Sequence, residues 1–205
     1  MVRTADSINA AVDELARREK AFAAVLERHG RPEPRVSEPG ATTLLRTIVG
    51  QQVSVAAARS MWAKLEAAYG APPDLEQIQR ASDGDLRLAG LSRQKAGYAR
   101  SLAELVLSGE LDLGRLPKDD EEAIAHLTRI KGIGRWSAEI YLLFAEGRTD
   151  VWPAGDLAVQ IEIGRLLGLD AKPSEKQLRE LAEAWRPHRG AVAVLAWHSY
   201  NSAVL

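Results

Sequence analysis

The sequence predicts an all-α protein, on three observations. Apolar residues recur at helical spacing along most of the chain, helix-starting residues precede several of these runs, and the Pro- and Gly-containing stretches between them are not flanked by alternating, Val- and Ile-rich hairpin segments. With 205 residues, 46% of them hydrophobic, the chain is long enough for one domain or a two-lobed unit with a substantial core. Cysteine is absent, which excludes disulfides, thiolate metal sites, cysteine-ligated iron–sulfur clusters and cysteine nucleophiles. The formal net charge of -1 points to no polyanionic partner in bulk, so a nucleic-acid ligand would need a local basic face. No stretch approaches the roughly 20 apolar residues of a membrane span, and the amino terminus has no long apolar core. These features imply a soluble, cytoplasmic protein with no membrane partner.

The elements follow in order. Ile8, Val12 and Leu15 fall on one helical face, and Phe22, Val25 and Leu26 continue it. After the loop RPEPRVSEPG, Ser54 is placed to cap a helix carrying Ala58, Trp62, Leu65 and Tyr69. YGAPPD and SGELDLGRLPKDD read as loops, and Ser92 can cap the helix of LSRQKAGYARSL. Asp119 with Glu122, and Ser174 with Gln177, have the spacing of capping boxes. AVAVLAW near the carboxyl terminus has the length of a buried strand, but its helical surroundings favour a buried helix. No internal repeat or long linker is visible.

One stretch asks for more than packing. Residues 130–140 read IKGIGRWSAEI, between the amphipathic EEAIAHLTRI and a run with Trp136, Ile140 and Leu143 at helical spacing. This is helix, tight hairpin, helix. Glycine at 132 and 134 permits positive φ and leaves the backbone bare to an approaching group. Amides at the start of the second helix could then receive a phosphate, with Lys131 and Arg135 adding charge. An ordinary helix–helix corner, its glycines serving only as a cap, explains the local sequence as well.

The wider context resembles the AlkA-like 3-methyladenine DNA glycosylase II group of the helix-hairpin-helix (HhH-GPD) superfamily. The resemblance rests on TIVGQQVSVAAARSMWAKL, IKGIGRWSAEIYLLFA, DVWPAGDLAVQ and WRPHRGAVAVLAW, which span most of the chain in the family's order. It implies two helical lobes with a DNA-binding cleft, without the amino-terminal β-domain of some relatives. Residues 35–117 would form one lobe, and 1–34 with 118–205 the other, the whole chain making one glycosylase unit.

By the same resemblance Asp156 is the catalytic carboxylate. Cleaving an N-glycosidic bond builds oxocarbenium character on the sugar, which a carboxylate can stabilise while orienting water; locally, Asp after Gly is equally a helix cap. Relatives often carry an acidic residue just before it, where this chain has Gly155. Trp136 stands where bifunctional members use a Schiff-base lysine, and tryptophan cannot supply that amine, so hydrolysis without a lyase step is expected. Trp136 and Trp197 fall where relatives line the base pocket, and an indole face suits a cationic alkylated purine. Ile140 replaces a further pocket tyrosine. Trp62 and Trp185 read as core, and Trp152 is open between core and pocket. The residue filling the gap left by the everted base falls at Gln52, with Gln51 beside it. Phosphate contacts fall to Lys131, Gly132, Gly134, Arg135 and Lys95.

The resemblance also implies a monovalent cation, Na or K, on the backbone carbonyls of Thr128, Ile130 and Ile133. No cofactor is required, and the four histidines lack metal-ligand spacing. The expected partner is double-stranded damaged DNA, bound by a monomer. A glycosylase for deaminated or mismatched bases, a non-catalytic DNA-binding module and a helical protein-interaction module are the alternatives.

Overall fold

The computed structural model describes residues 5–33 and 35–204. It is helical throughout, with no strand among the described residues, as the periodicity predicts. Two compact units emerge, one made of the chain up to Ser37 and from Leu142 onward, the other of Glu38–Tyr141.

The first unit holds α1 (Ala5–Arg18), α2 (Lys20–His29), α10 (Leu157–Leu166), α11 (Glu175–Ala182), a single 3-10 turn and α12 (Arg189–Val204). Val12 and Leu15 of α1 and Phe22 and Val25 of α2 are buried in one cluster with Val159, Ile163, Leu178 and the centre of α12. Burying such side chains contributes about 1.5–3 kcal/mol each. All six residues from Ala191 to Ala196 are buried, so AVAVLAW is a helix apolar on every side because it lies in the core. Gly190 sets how α12 begins. Its amide donates to the Thr149 carbonyl at 2.7 Å, and an added Cβ would lie 2.6 Å from Leu143 Cδ1 and 2.7 Å from that carbonyl oxygen.

Trp152, left open by the sequence, is core. It is 3% exposed, meets Trp185 edge-on at 5.7 Å, and its indole donates to the Leu178 carbonyl at 3.3 Å. Trp185 in turn meets Phe22 at 5.5 Å.

The second unit holds α3 (Ala41–Gly50), α4 (Val55–Tyr69), α5 (Leu75–Arg80), α6 (Asp83–Leu88), α7 (Arg93–Leu107), α8 (Asp120–Leu127) and α9 (Arg135–Phe144) as far as Tyr141. Its buried residues include Leu44, Leu45, Ile48, Trp62, Leu65, Leu102 and Leu127. Where the sequence-based division ends a lobe at 117, this unit runs on through α8 and the hairpin. Arg129 Nη2 pairs with Glu110 at 2.6 Å, and the Lys131 amide donates to Ser101 Oγ at 3.1 Å, fastening the hairpin to α7 and the loop that follows it.

Four caps lie where the sequence puts them. Ser54, Ser92, Asp119 and Ser174 each accept the amide three residues on, and Ser174 with Gln177 completes a capping box. No described helix is long and apolar enough to cross a membrane.

Candidate functional site

In the first unit the candidate functional side chain is Asp156. The segment before it turns tightly, with the Ala154 amide on the Trp152 carbonyl at 2.9 Å and the Asp156 amide on the Pro153 carbonyl at 3.0 Å. Asp156 caps α10, its Oδ1 accepting the Val159 amide at 3.0 Å. The same oxygen accepts the Trp197 indole N–H at 3.1 Å. Two donors on one oxygen fix the carboxylate's orientation, and charged acceptors make such bonds stronger than neutral ones. A second layer holds the loop. Gln160 Nε2 donates to the Ala154 carbonyl at 2.8 Å, and Lys172 Nζ donates to Gln160 Oε1 at 2.7 Å. Asp156 is half-buried and Gly155 beside it is exposed.

Trp197 is half-buried and packs at a tilt on Phe144, the ring centres 5.8 Å apart. Arg35 lies over the Phe144 ring at 4.8 Å, inside cation–π range. An added Cβ at Gly155 would meet only the Glu175 carboxylate, with Oε2 3.5 Å away. Glu175, which pairs with Arg179 on α11, is thus the side chain that borders this position.

In the second unit the hairpin is built as the spacing predicts, although its two glycines are used differently. Gly132 has φ +85°, and an added Cβ would fall 2.1 Å from Tyr98 Cδ2, so both conformation and space demand glycine. Gly134 is absent from the positive-φ residues, and an added Cβ there meets nothing within 4 Å. Its exposed backbone opens α9 by accepting the Ala138 amide at 3.0 Å. First-turn amides of a helix have no intrahelical acceptor, which suits this end to an anion.

Lys131 is exposed. Arg135, expected beside it as a phosphate cation, is engaged within the unit: Nη1 donates to Glu121 at 2.8 Å and Nε to Glu139 at 2.9 Å. The Glu121 hydrogen bond raises the guanidinium's pKa above its ordinary value. Glu139, 2% exposed, is buried, and Arg135 is one of its ion-pair partners. Lys95 is also turned inward, its Nζ donating to the Val49 carbonyl at 2.7 Å. Ile130 and Ile133 are buried, the Ile130 carbonyl accepts the Ile133 amide at 3.0 Å, and the exposed Thr128 bonds the Ala125 carbonyl through its hydroxyl at 3.1 Å.

Gln51 and Gln52 diverge. Gln51 Nε2 donates to the Gly132 carbonyl at 2.7 Å, whereas Gln52 is exposed at φ +54°. Trp136 is 48% exposed and Ile140 half-buried; neither is wholly consumed by the core. The structure therefore joins Asp156 with Trp197 in one unit, and Gln51 with Gly132 in the other. The anchors Tyr98 and Ser101 carry no signal in sequence, since neither residue type announces a hairpin partner some 30 positions away.

The helical fold, the helix-capping Asp156 and the glycine hairpin agree with the family match: the chain belongs to the HhH-GPD superfamily of base excision DNA repair proteins, whose family model matches residues 45–187. Among curated relatives, DNA-3-methyladenine glycosylase 1 of Schizosaccharomyces pombe is 32% identical over 166 residues, covering 78% of this chain and 72% of its own length. The solved structure of a DNA-3-methyladenine glycosidase from Bacillus halodurans matches with a TM-score of 0.85 at 31% identity, covering 95% of this chain and 90% of that one. A Schizosaccharomyces pombe 3-methyladenine DNA glycosylase in complex with abasic DNA matches with a TM-score of 0.77 at 27% identity, covering 96% and 97%. Some relatives are much longer; the chain spans 57% of one from Bacillus subtilis that is 28% identical over 164 residues.

Proposed function

We propose that this chain is a monofunctional DNA glycosylase of base-excision repair. It flips an alkylated purine, of the 3-methyladenine or 7-methylguanine type, out of duplex DNA and hydrolyses the N-glycosidic bond to leave an abasic site. The observation that carries the reading is the Asp156 carboxylate, which lies within the segment the family model matches and is held on one oxygen by Val159 and Trp197. Alkylation puts positive charge on the base and improves the leaving group. The carboxylate then has two tasks, stabilising the oxocarbenium-like sugar and orienting water toward the anomeric carbon.

In the first unit the Trp197 indole beside Asp156 offers a face for a cationic ring; in the second, Trp136 and Ile140 are separate candidate base contacts. Gln52 fills the space the base leaves. Phosphates are received by Lys131 and the main chain about Gly132 and Gly134. Trp136 at the head of α9 offers no amine for a Schiff base, so strand cleavage is not part of the reaction. Such hydrolysis needs no cofactor; a Na or K ion on the carbonyls of Thr128, Ile130 and Ile133 is a structural addition to the hairpin. On this reading the protein acts as a cytoplasmic monomer.

The test is release of free base from duplexes each carrying 3-methyladenine, 7-methylguanine, 1-methyladenine, hypoxanthine or uracil. Release of the methylated purines, abolished in Asp156→Asn while duplex binding persists, is expected. Release confined to hypoxanthine or uracil overturns the alkyl-purine assignment, and binding without any release identifies a non-catalytic module.

A further inference from the structure

We propose that Gln51 and Lys95 are positioning residues that hold the Gln52 plug in register with the hairpin before DNA arrives, and that neither reaches DNA itself. The proposal rests on the glycosylase reading above, with Gln52 filling the gap of an everted base.

The backbone gives the first reason. Gln52, at φ +54°, is the one non-glycine position in the left-handed region among the described residues. A residue with a side chain persists there only where its surroundings hold it. The Gln52 side chain is exposed, so its flanks must do the holding.

On the amino-terminal side, α3 ends in two linked contacts. The Gln51 amide donates to the Ile48 carbonyl at 3.3 Å. Lys95 reaches from α7 to the Val49 carbonyl at 2.7 Å, placing an ammonium on a helix C-terminus, where orphan carbonyls and the dipole both favour it. Partial burial there lowers the pKa of Lys95 below its ordinary value. On the carboxyl side, Ser54 Oγ accepts the Ala57 amide and starts α4 at once.

The hairpin is held by the same helix. Gln51 Nε2 spans 81 positions of sequence to the Gly132 carbonyl at 2.7 Å. Gly132 is backed by the Tyr98 ring, and the neighbouring Lys131 amide is on Ser101 Oγ. Lys95, Tyr98 and Ser101 follow one another at intervals of three, so one face of α7 carries both the plug loop and the hairpin. A carboxamide engaged with the hairpin main chain is not in the base stack, and an ammonium on Val49 is not on a phosphate. The plug and the phosphate-receiving turn are thereby set before binding, which removes an ordering cost from it.

The test compares single-turnover base release from an alkylated duplex and from the same strand unpaired, where no gap needs filling. Gln51→Ala and Lys95→Met are expected each to lower the duplex-to-single-strand rate ratio about five- to tenfold, the loss of one hydrogen bond. Neither should add to the effect of Gln52→Ala in a double-mutant cycle, Lys95→Arg should restore the ratio, and the salt slope of duplex binding should stay unchanged in Lys95→Met. Multiplicative effects of Gln51→Ala and Gln52→Ala, a salt slope reduced by about one in Lys95→Met, or equal losses on both substrates would overturn the proposal. Wild-type protein that releases base from neither substrate overturns the glycosylase reading instead, and the salt slope still decides whether Lys95 touches phosphate.

Discussion

The Asp156 loop and the hairpin solve opposite problems. On the proposed reading the working group at Asp156 is a side chain, and main-chain turns and neighbouring side chains aim it: Val159 and Trp197 grip one oxygen, and Gln160 with Lys172 holds the loop. At the hairpin the proposed working group is the main chain, and side chains aim that: Gln51 holds the Gly132 carbonyl, Ser101 the Lys131 amide, and Tyr98 fills the space a Cβ would take. A charged side chain beside such a turn can also find partners within its own unit, as Arg135 does with Glu121 and Glu139 and Lys95 with the Val49 carbonyl.

The contrast is broken or sharpened by substitutions, beginning with the largest effect. Asp156→Asn should lower the rate of base release about a thousandfold with unfolding free energy almost unchanged, because Asn also caps helices. Asp156→Ala should lose as much activity and in addition about 1 kcal/mol of stability, measured by denaturant titration. At the hairpin the order reverses. Gly132→Ala should cost about 2–4 kcal/mol from the strained φ and the collision with Tyr98, whereas Gly134→Ala should leave stability unchanged and weaken duplex affinity about tenfold by standing before the main-chain donors. Comparable stability losses at the two glycines would erase the distinction.

Trp197→Phe keeps an aromatic ring and removes the indole donor, so the single-turnover rate should fall about tenfold, the range for a hydrogen bond to a charged group. An unchanged rate would show that the Trp197 bond does not aim the carboxylate. The smallest effect separates the two hairpin cations. Lys131→Ala should reduce the salt slope of duplex binding by about one. Arg135→Ala should leave that slope alone and lower the melting temperature, because buried Glu139 loses this partner.

What the sequence made legible was local. Caps at Ser54, Ser92, Asp119 and Ser174 depend on residues three apart and can be read directly, as can the short connection between the hairpin helices and the Asp156 cap. The short helices α5 and α6 were not distinguished, since six residues carry too little periodicity. The partners of charged and amide groups were illegible for a different reason: Lys95 meets a carbonyl 46 positions away, and Gln51 one 81 away. Periodicity reports which face of a helix is apolar, but nothing in it records which distant backbone atom a long polar side chain will find.

The cap formed by Asp156 also limits how such a protein can evolve. A lineage that kept the fold while abandoning the chemistry would lose least by passing through Asn or Ser at this position, since both preserve the start of α10. Drift to an aliphatic residue would impair folding and chemistry together. The amino acid found here in a silent descendant would therefore record whether its helix was still under selection after its reaction had gone.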